Sequence, residues 1–100
     1  MRVITRARIT EAKAKHRQSA AALDAWYRLI KKGAYADFAE LKATFNSVDK
    51  VDKFYVFDIG GNKLRLIAAI HFNRQMIFIR FVLTHKEYDS NAWKRKEGVQ

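Results

Sequence analysis

Lys53-Phe54-Tyr55-Val56-Phe57-Asp58-Ile59, then Gly60-Gly61-Asn62, then Lys63-Leu64-Arg65-Leu66-Ile67-Ala68-Ala69-Ile70-His71-Phe72 decide the fold. The first and last segments are rich in aromatic and β-branched residues, which suit a pleated, half-buried surface. Between them the two glycines reach φ > 0 without steric cost and Asn62 tolerates it, so the chain turns back on itself. Asn73-Arg74-Gln75 turns it again, and Met76 to Leu83 forms another long strand. Three strands joined by short turns predict an antiparallel meander.

Working outward towards the N-terminus, Arg2-Val3-Ile4-Thr5 reads as a short opening strand. Thr5 is placed to cap a weakly amphipathic helix over 6–16, with Ile9, Ala12 and His16 aligned. Ser19 is placed to cap a stronger helix, in which Leu23, Trp26 and Ile30 recur at helical spacing. Lys31 and Lys32 sit in its last turn and Gly33 follows as the C-cap. Residues 37–45 predict a third, short helix with Phe38, Leu41 and Phe45 on one side. Beyond the meander, 86–94 predicts a final short helix and 94–100 a basic tail. The expected architecture is α+β: a small antiparallel sheet, made of the N-terminal strand plus the three-strand meander, with helices packed on one face. The length suits a single domain spanning 1–100.

Strand alternation assigns the two faces. Leu64, Leu66, Ala68 and Ile70 share one, and Ile77, Ile79, Phe81 and Leu83 are uniformly apolar. The other face is mixed and carries Arg65, His71 and Arg80. A mixed, basic sheet face suits a nucleic-acid strand, although arginine stems lying over apolar neighbours would give the same pattern.

The composition narrows the function classes. Twenty Lys and Arg against ten Asp and Glu leave a net charge of +10. The excess lies at the two ends: net +7 over 1–32, −2 over 33–62 and +5 over 63–100. Such an excess predicts a polyanionic partner, nucleic acid before a membrane or an acidic protein. No apolar run has the length of a membrane span or signal peptide, so no membrane role is expected and the cytoplasm is the expected location. With no cysteine and three dispersed histidines, thiolate chemistry is excluded and no metal site or other cofactor is expected. His16 reads as a helix-end residue, Trp26 as core and His71 as a partly exposed strand end.

Thr84-His85-Lys86-Glu87-Tyr88-Asp89 is the densest chemical cluster, at a strand-to-helix junction. Its histidine can exchange protons near neutrality, its lysine can neutralise phosphate charge, and its tyrosine can stack on a base or move a proton. An ordinary charged helix start is the alternative, with Glu87 and Asp89 favoured by the helix dipole.

At these residues the sequence closely resembles the HigB family of type II toxins within the RelE-like superfamily. The resemblance runs from Val3-Ile4-Thr5 to the final helix; the Gly60-Gly61-Asn62 turn with Arg65, and the Thr84–Asp89 run, are its specific parts. It implies a metal-independent mRNA interferase acting in the ribosomal A site. It also implies a HigA-type helix-turn-helix antitoxin, with operator DNA bound only by the toxin–antitoxin complex. The implied chemistry is attack of the RNA's own 2′-OH on the adjacent phosphate, leaving a 2′,3′-cyclic phosphate or its 3′-phosphate product. On this resemblance Arg65 would stabilise the phosphorane, His85 would act as general acid or base, Tyr88 would stack or move a proton, and Lys86 would follow in the catalytic segment. Asn62, Lys63, Arg80 and Lys94 are the RNA-binding candidates. RelE-type members of the superfamily carry two lysines on the first meander strand, one of them suited to base catalysis, where this chain has Val56 and Asp58; its base comes from elsewhere or the alignment of the two strands slips. A non-catalytic RNA- or ribosome-binding module is the rival reading. A DNA-binding protein is disfavoured, because no helix-turn-helix pair with a basic recognition helix is present.

Overall fold

A computed structural model describes residues 1–61 and 63–96. Asn62 and the tail beyond residue 96 lie outside the described residues. The chain opens with β1 (Arg2–Ile4) and α1 (Arg6–Lys15), passes a 3-10 turn (Arg17–Ser19), and continues through α2 (Ala20–Lys32) and α3 (Phe38–Thr44). Four strands follow: β2 (Asp49–Val51), β3 (Phe54–Ile59), β4 (Leu64–His71) and β5 (Met76–Thr84). The last elements are α4 (His85–Asp89) and α5 (Ala92–Lys96). None of the described helices is long and apolar enough to cross a membrane.

The expected meander is β3–β4–β5, antiparallel throughout, with Gly60 at φ +64° and Gly61 at φ +60° in its first turn. Two details of the sheet differ from the sequence expectation. β1 joins β5 in parallel, so the five-stranded sheet is mixed, in the order β1-β5-β4-β3-β2. The edge strand β2 was not expected; three residues flanked by polar positions carry too little alternation to read. The final helix is also two helices, because Asn91 at φ 61° breaks it.

α1 and α2 cover one face. Ile9 and Ala12 of α1 and Leu23, Trp26 and Ile30 of α2 pack on Tyr55, Phe57 and Ile59 of β3 and Leu64, Leu66 and Ala68 of β4. Trp26 sits edge-on to Phe57, with ring centroids 5.3 Å apart, so its core reading holds. Ser19 and Thr5 occupy the expected cap positions without a side-chain cap hydrogen bond. Gly33 does end α2, but in extended conformation rather than the left-handed one. Its reason is space: a Cβ there would overlap the Tyr35 ring, whose hydroxyl donates to the Leu29 carbonyl.

A bulge in β5 changes the face assignment. Ile67 pairs with Phe81 and Ala68 with Ile79, which leaves Arg80 as an extra residue. Ile77 and Ile79 therefore join the helix-covered core, whereas Phe81 and Leu83 turn to the opposite face and Val82 takes the core side. There a second cluster forms from Phe54, Val56, Ile67 and Trp93, with Phe81, Leu83 and Tyr88 against it. The expectation that Phe81 and Leu83 share a face with Ile77 is thus corrected. α1 is tied to the bulge by Arg8, whose Nη1 donates to the Arg80 carbonyl at 2.9 Å.

Candidate active site

The bulge and the β5–α4 junction set the site. Thr84 caps α4 by accepting from the Glu87 N–H at 3.1 Å, while the Glu87 carboxylate accepts from the Thr84 N–H at 2.9 Å. This reciprocal capping box closes the helix immediately after the strand, so residue 85 starts a turn at the end of the sheet. The Thr84 backbone N–H, with the Thr84 hydroxyl and the charges of Lys15 and His16, holds the Glu87 carboxyl below its ordinary value against the opposing effect of burial. The helix spacing then places His85 and Asp89 on one side, and His85 Nε2 lies 3.1 Å from Asp89 Oδ2.

Arg65 approaches from β4. Pairing with Asp58 across β3 and with Leu83 across β5 puts it on the second-cluster face at that same end. Its guanidinium lies 3.1 Å from Asp58 Oδ1 and 3.1 Å from His85 Nδ1, and 5.8 Å from the centre of the Tyr88 ring. Its side chain is only 11% exposed, against 32% for Asp58. The Tyr88 ring stacks on Trp93 at 5.6 Å and 16°. Trp93 is buried against Phe54 and Phe81, so the second cluster is the floor that fixes Tyr88.

This geometry selects a tautomer. A guanidinium only donates hydrogen bonds, so His85 Nδ1 accepts from Arg65. The ring proton of neutral His85 then sits on Nε2 and is donated to Asp89. Tyr88 has the opposite character: burial pushes its phenol up from the ordinary 10.0, and the nearby Arg65 charge only partly offsets this. Its hydroxyl is therefore a protonated donor across the neutral range.

Of the expected site residues, Arg65, His85 and Tyr88 come together. Lys86 is exposed on α4, one position along from His85. Lys63 lines a separate cleft with Leu64, Thr84 and the end of α1. Arg80, at the bulge, lines a separate hollow with Lys53, Phe54, His71 and Phe78. Lys94 sits over the Trp93 ring at 5.8 Å. Asn62 lies outside the described residues. Among the described residues no three His, Cys, Asp or Glu gather as a metal-binding group.

Three residues of the constellation were not among the expected site residues. Asp58 reads as one polar position in an apolar strand and Trp93 as one aromatic near the end of the chain. Asp89 carried a signal: its i,i+4 spacing from His85 marks an orienting carboxylate once a helix start is placed at residue 85. Asp58 and Val56 occupy the positions where the sequence comparison expects the lysines of RelE-type members of the superfamily. Asp58 pairs with Arg65 and Val56 is buried in the second cluster, so neither supplies a cation.

Comparison with known proteins assigns the chain to a family. The family model of HigB toxin, the RelE-like toxic component of a toxin–antitoxin system, matches residues 19–91. The mRNA interferase toxin HigB of Escherichia coli K12 is 42% identical over 92 residues, covering 89% of this chain and 88% of its own. The mRNA interferase HigB of Shigella flexneri shares the same identity and coverage. That of Escherichia coli O6:H1 is 36% identical over 89% of both chains. With the family model covering most of the chain and relatives this similar along nearly all of it, the chain belongs to the RelE-like HigB toxin family, the toxic component of a toxin–antitoxin system, and so has an antitoxin as partner.

Proposed function

We propose that residues 1–100 form a single toxin domain that acts as a metal-independent mRNA endoribonuclease on translating ribosomes. One observation carries this reading. Arg65 from β4 and His85 and Tyr88 from α4, distant in sequence, meet within contact distance at one end of the sheet. They match the needs of phosphodiester transfer within RNA: a cation for the phosphorane, a group to take a proton and a group to give one.

In this mechanism the scissile phosphate docks on Arg65 and draws the guanidinium away from His85 Nδ1. The freed Nδ1 takes the proton of the 2′-OH, while Asp89 holds Nε2–H and steadies the imidazolium that forms. The 2′-oxygen bonds to phosphorus and the bond from phosphorus to the 5′-oxygen breaks. Tyr88 gives its proton to that leaving oxygen. The products are a 2′,3′-cyclic phosphate and a 5′-hydroxyl. Lys63, Lys86, Arg80 and Lys94 offer positive charge along the RNA path.

The names of the relatives support mRNA as substrate. The working partners in this reading are mRNA, the ribosomal A site and a HigA-type helix-turn-helix antitoxin in the cytoplasm. Operator DNA is contacted only as the toxin–antitoxin complex. The test is 5′-end mapping of a defined mRNA with purified protein, with and without translating ribosomes, alongside Arg65→Ala and His85→Ala. Cuts within A-site codons that need ribosomes and vanish in both variants are expected. Folded wild-type protein that leaves every RNA intact would move the assignment to a non-catalytic RNA- or ribosome-binding module.

A further inference from the structure

We propose that the cleft between the α1–α2 junction and the β4–β5 end is a second RNA site, which grips backbone phosphate flanking the cut. This deepens the nuclease reading and rests on it. The cleft has a volume of about 550 Å³ and is walled by Lys15, His16 and Arg17 on one side and by Lys63, Leu64 and Thr84 on the other. That size suits a nucleotide rather than a lone ion. Its lining contains two lysines, an arginine and a histidine, and no carboxylate.

Position links this cleft to the chemistry. Leu64 and Thr84 are partners across the β4–β5 ladder. Each is followed directly by a residue of the active site, Arg65 and His85. Successive strand residues point to opposite faces, so the cleft opens on the helix side of the sheet end whose other side carries the site. A strand of RNA rounding that end would meet both. Two carboxylates stand nearby: Glu87, which is engaged in capping Thr84 and feels the charges of Lys15 and His16, and Glu11, which lines an adjoining hollow with Lys15 and His16.

The positions also explain an unused feature of the sequence. The N-terminal third carries a net charge of +7, while α1 buries little beyond Ile9 and Ala12. Lys15 and Arg17 are exposed and spend their charge at the mouth of the cleft rather than on the core. His16 caps the end of α1 through its backbone N–H to the Ala12 carbonyl, which fixes the turn that presents all three residues.

The test measures binding of single-stranded RNA oligonucleotides, two to eight nucleotides long and blocked against cleavage by 2′-O-methyl groups. Wild type is compared with Lys15→Gln/Arg17→Gln and with a charge-matched control, Arg28→Gln/Lys32→Gln, on the exposed side of α2. Losing two phosphate contacts should lower the salt slope of log affinity by about 1.4, at about 0.7 for each contact on a single strand. The expected loss is about tenfold at low salt, growing with oligonucleotide length, and absent in the control. Equal losses in both double variants would overturn the site and leave only a general charge effect. Unchanged RNA binding with weakened binding of an antitoxin would overturn it in favour of a protein-docking cleft. If wild type cleaves mRNA and yet the cleft variant binds RNA of every length like wild type, the inference fails while the nuclease reading stands. If wild type neither binds nor cleaves RNA, both fall together.

Discussion

Asp58→Asn removes one charge from the pair that holds Arg65 at the sheet end while keeping the side chain's shape. Unit charges 3.1 Å apart attract by about 1.3 kcal/mol in water and by about 5 kcal/mol at an effective dielectric of about 20. The pair lies between these limits, with Arg65 11% and Asp58 32% exposed. Arg65 also keeps His85 and the Tyr88 ring as neighbours in the variant. We therefore expect a loss of about 2 kcal/mol, which in a domain of this size lowers the melting temperature by about 8–16 °C. The same change should act on RNA in the opposite sense. Asp58 is the anion that an incoming phosphate must displace, so its neutralisation should tighten binding of an uncleavable oligonucleotide by about 1 kcal/mol, roughly fivefold. Calorimetric melting and equilibrium binding read the two effects, and the cycle with Arg65→Gln and the double variant isolates the pair. A melting temperature unchanged in Asp58→Asn, a coupling below about 0.5 kcal/mol, or weaker RNA binding would refute the reasoning.

Tyr88→Phe keeps the stack on Trp93 but loses the proton donor, so cleavage should slow by about 10²–10⁴-fold at unchanged thermal stability. Because burial raises the Tyr88 phenol above 10.0, wild-type activity should show no alkaline decline from this group until the pH passes that value. Glu87 has the reverse sign: its carboxyl is held below 4.5 in the folded chain, so its stabilisation is full above that pH and is lost as the pH falls through the folded value. Melting curves of Glu87→Gln should accordingly be flatter than wild type in that acid range, and Thr84→Ala should cost about 1 kcal/mol at neutral pH. Trp93→Ala empties the floor under Tyr88; we expect a loss of about 3 kcal/mol. Faster hydrogen exchange should be confined to α4 and α5, and uniform acceleration across β3–β5 would show that the second cluster is not a separate unit.

Much of the fold was legible because its signals are local. The α2 stripe of Leu23, Trp26 and Ile30, the Phe38, Leu41 and Phe45 spacing of α3 and the glycine turn between β3 and β4 each lie within one window of sequence. β5 shows where such reading stops. Ile77 to Leu83 is apolar at almost every position, and a strand buried on both faces carries no phase in its hydropathy. The bulge at Arg80 was therefore invisible, and with it the transfer of Phe81 and Leu83 to the face that supports the site. β1 is silent for a related reason: a three-residue edge strand pairs equally well in either direction on sequence alone.

The candidate site divides in the same way. The residue types, the charge and the run from Thr84 to Asp89 were determined by the sequence itself, since a capping residue followed by a polar, titratable turn is a local statement. Only the tertiary structure decided that Arg65 reaches His85 Nδ1, that Asp58 rather than a lysine faces it, and that Trp93 holds Tyr88 in place. It alone also brought Lys15 and Arg17 to the sheet end that carries Arg65 and His85. These are contacts between residues far apart in the chain, set by strand register and by one bulge. Register is a property of two strands together, and no single window of sequence contains it.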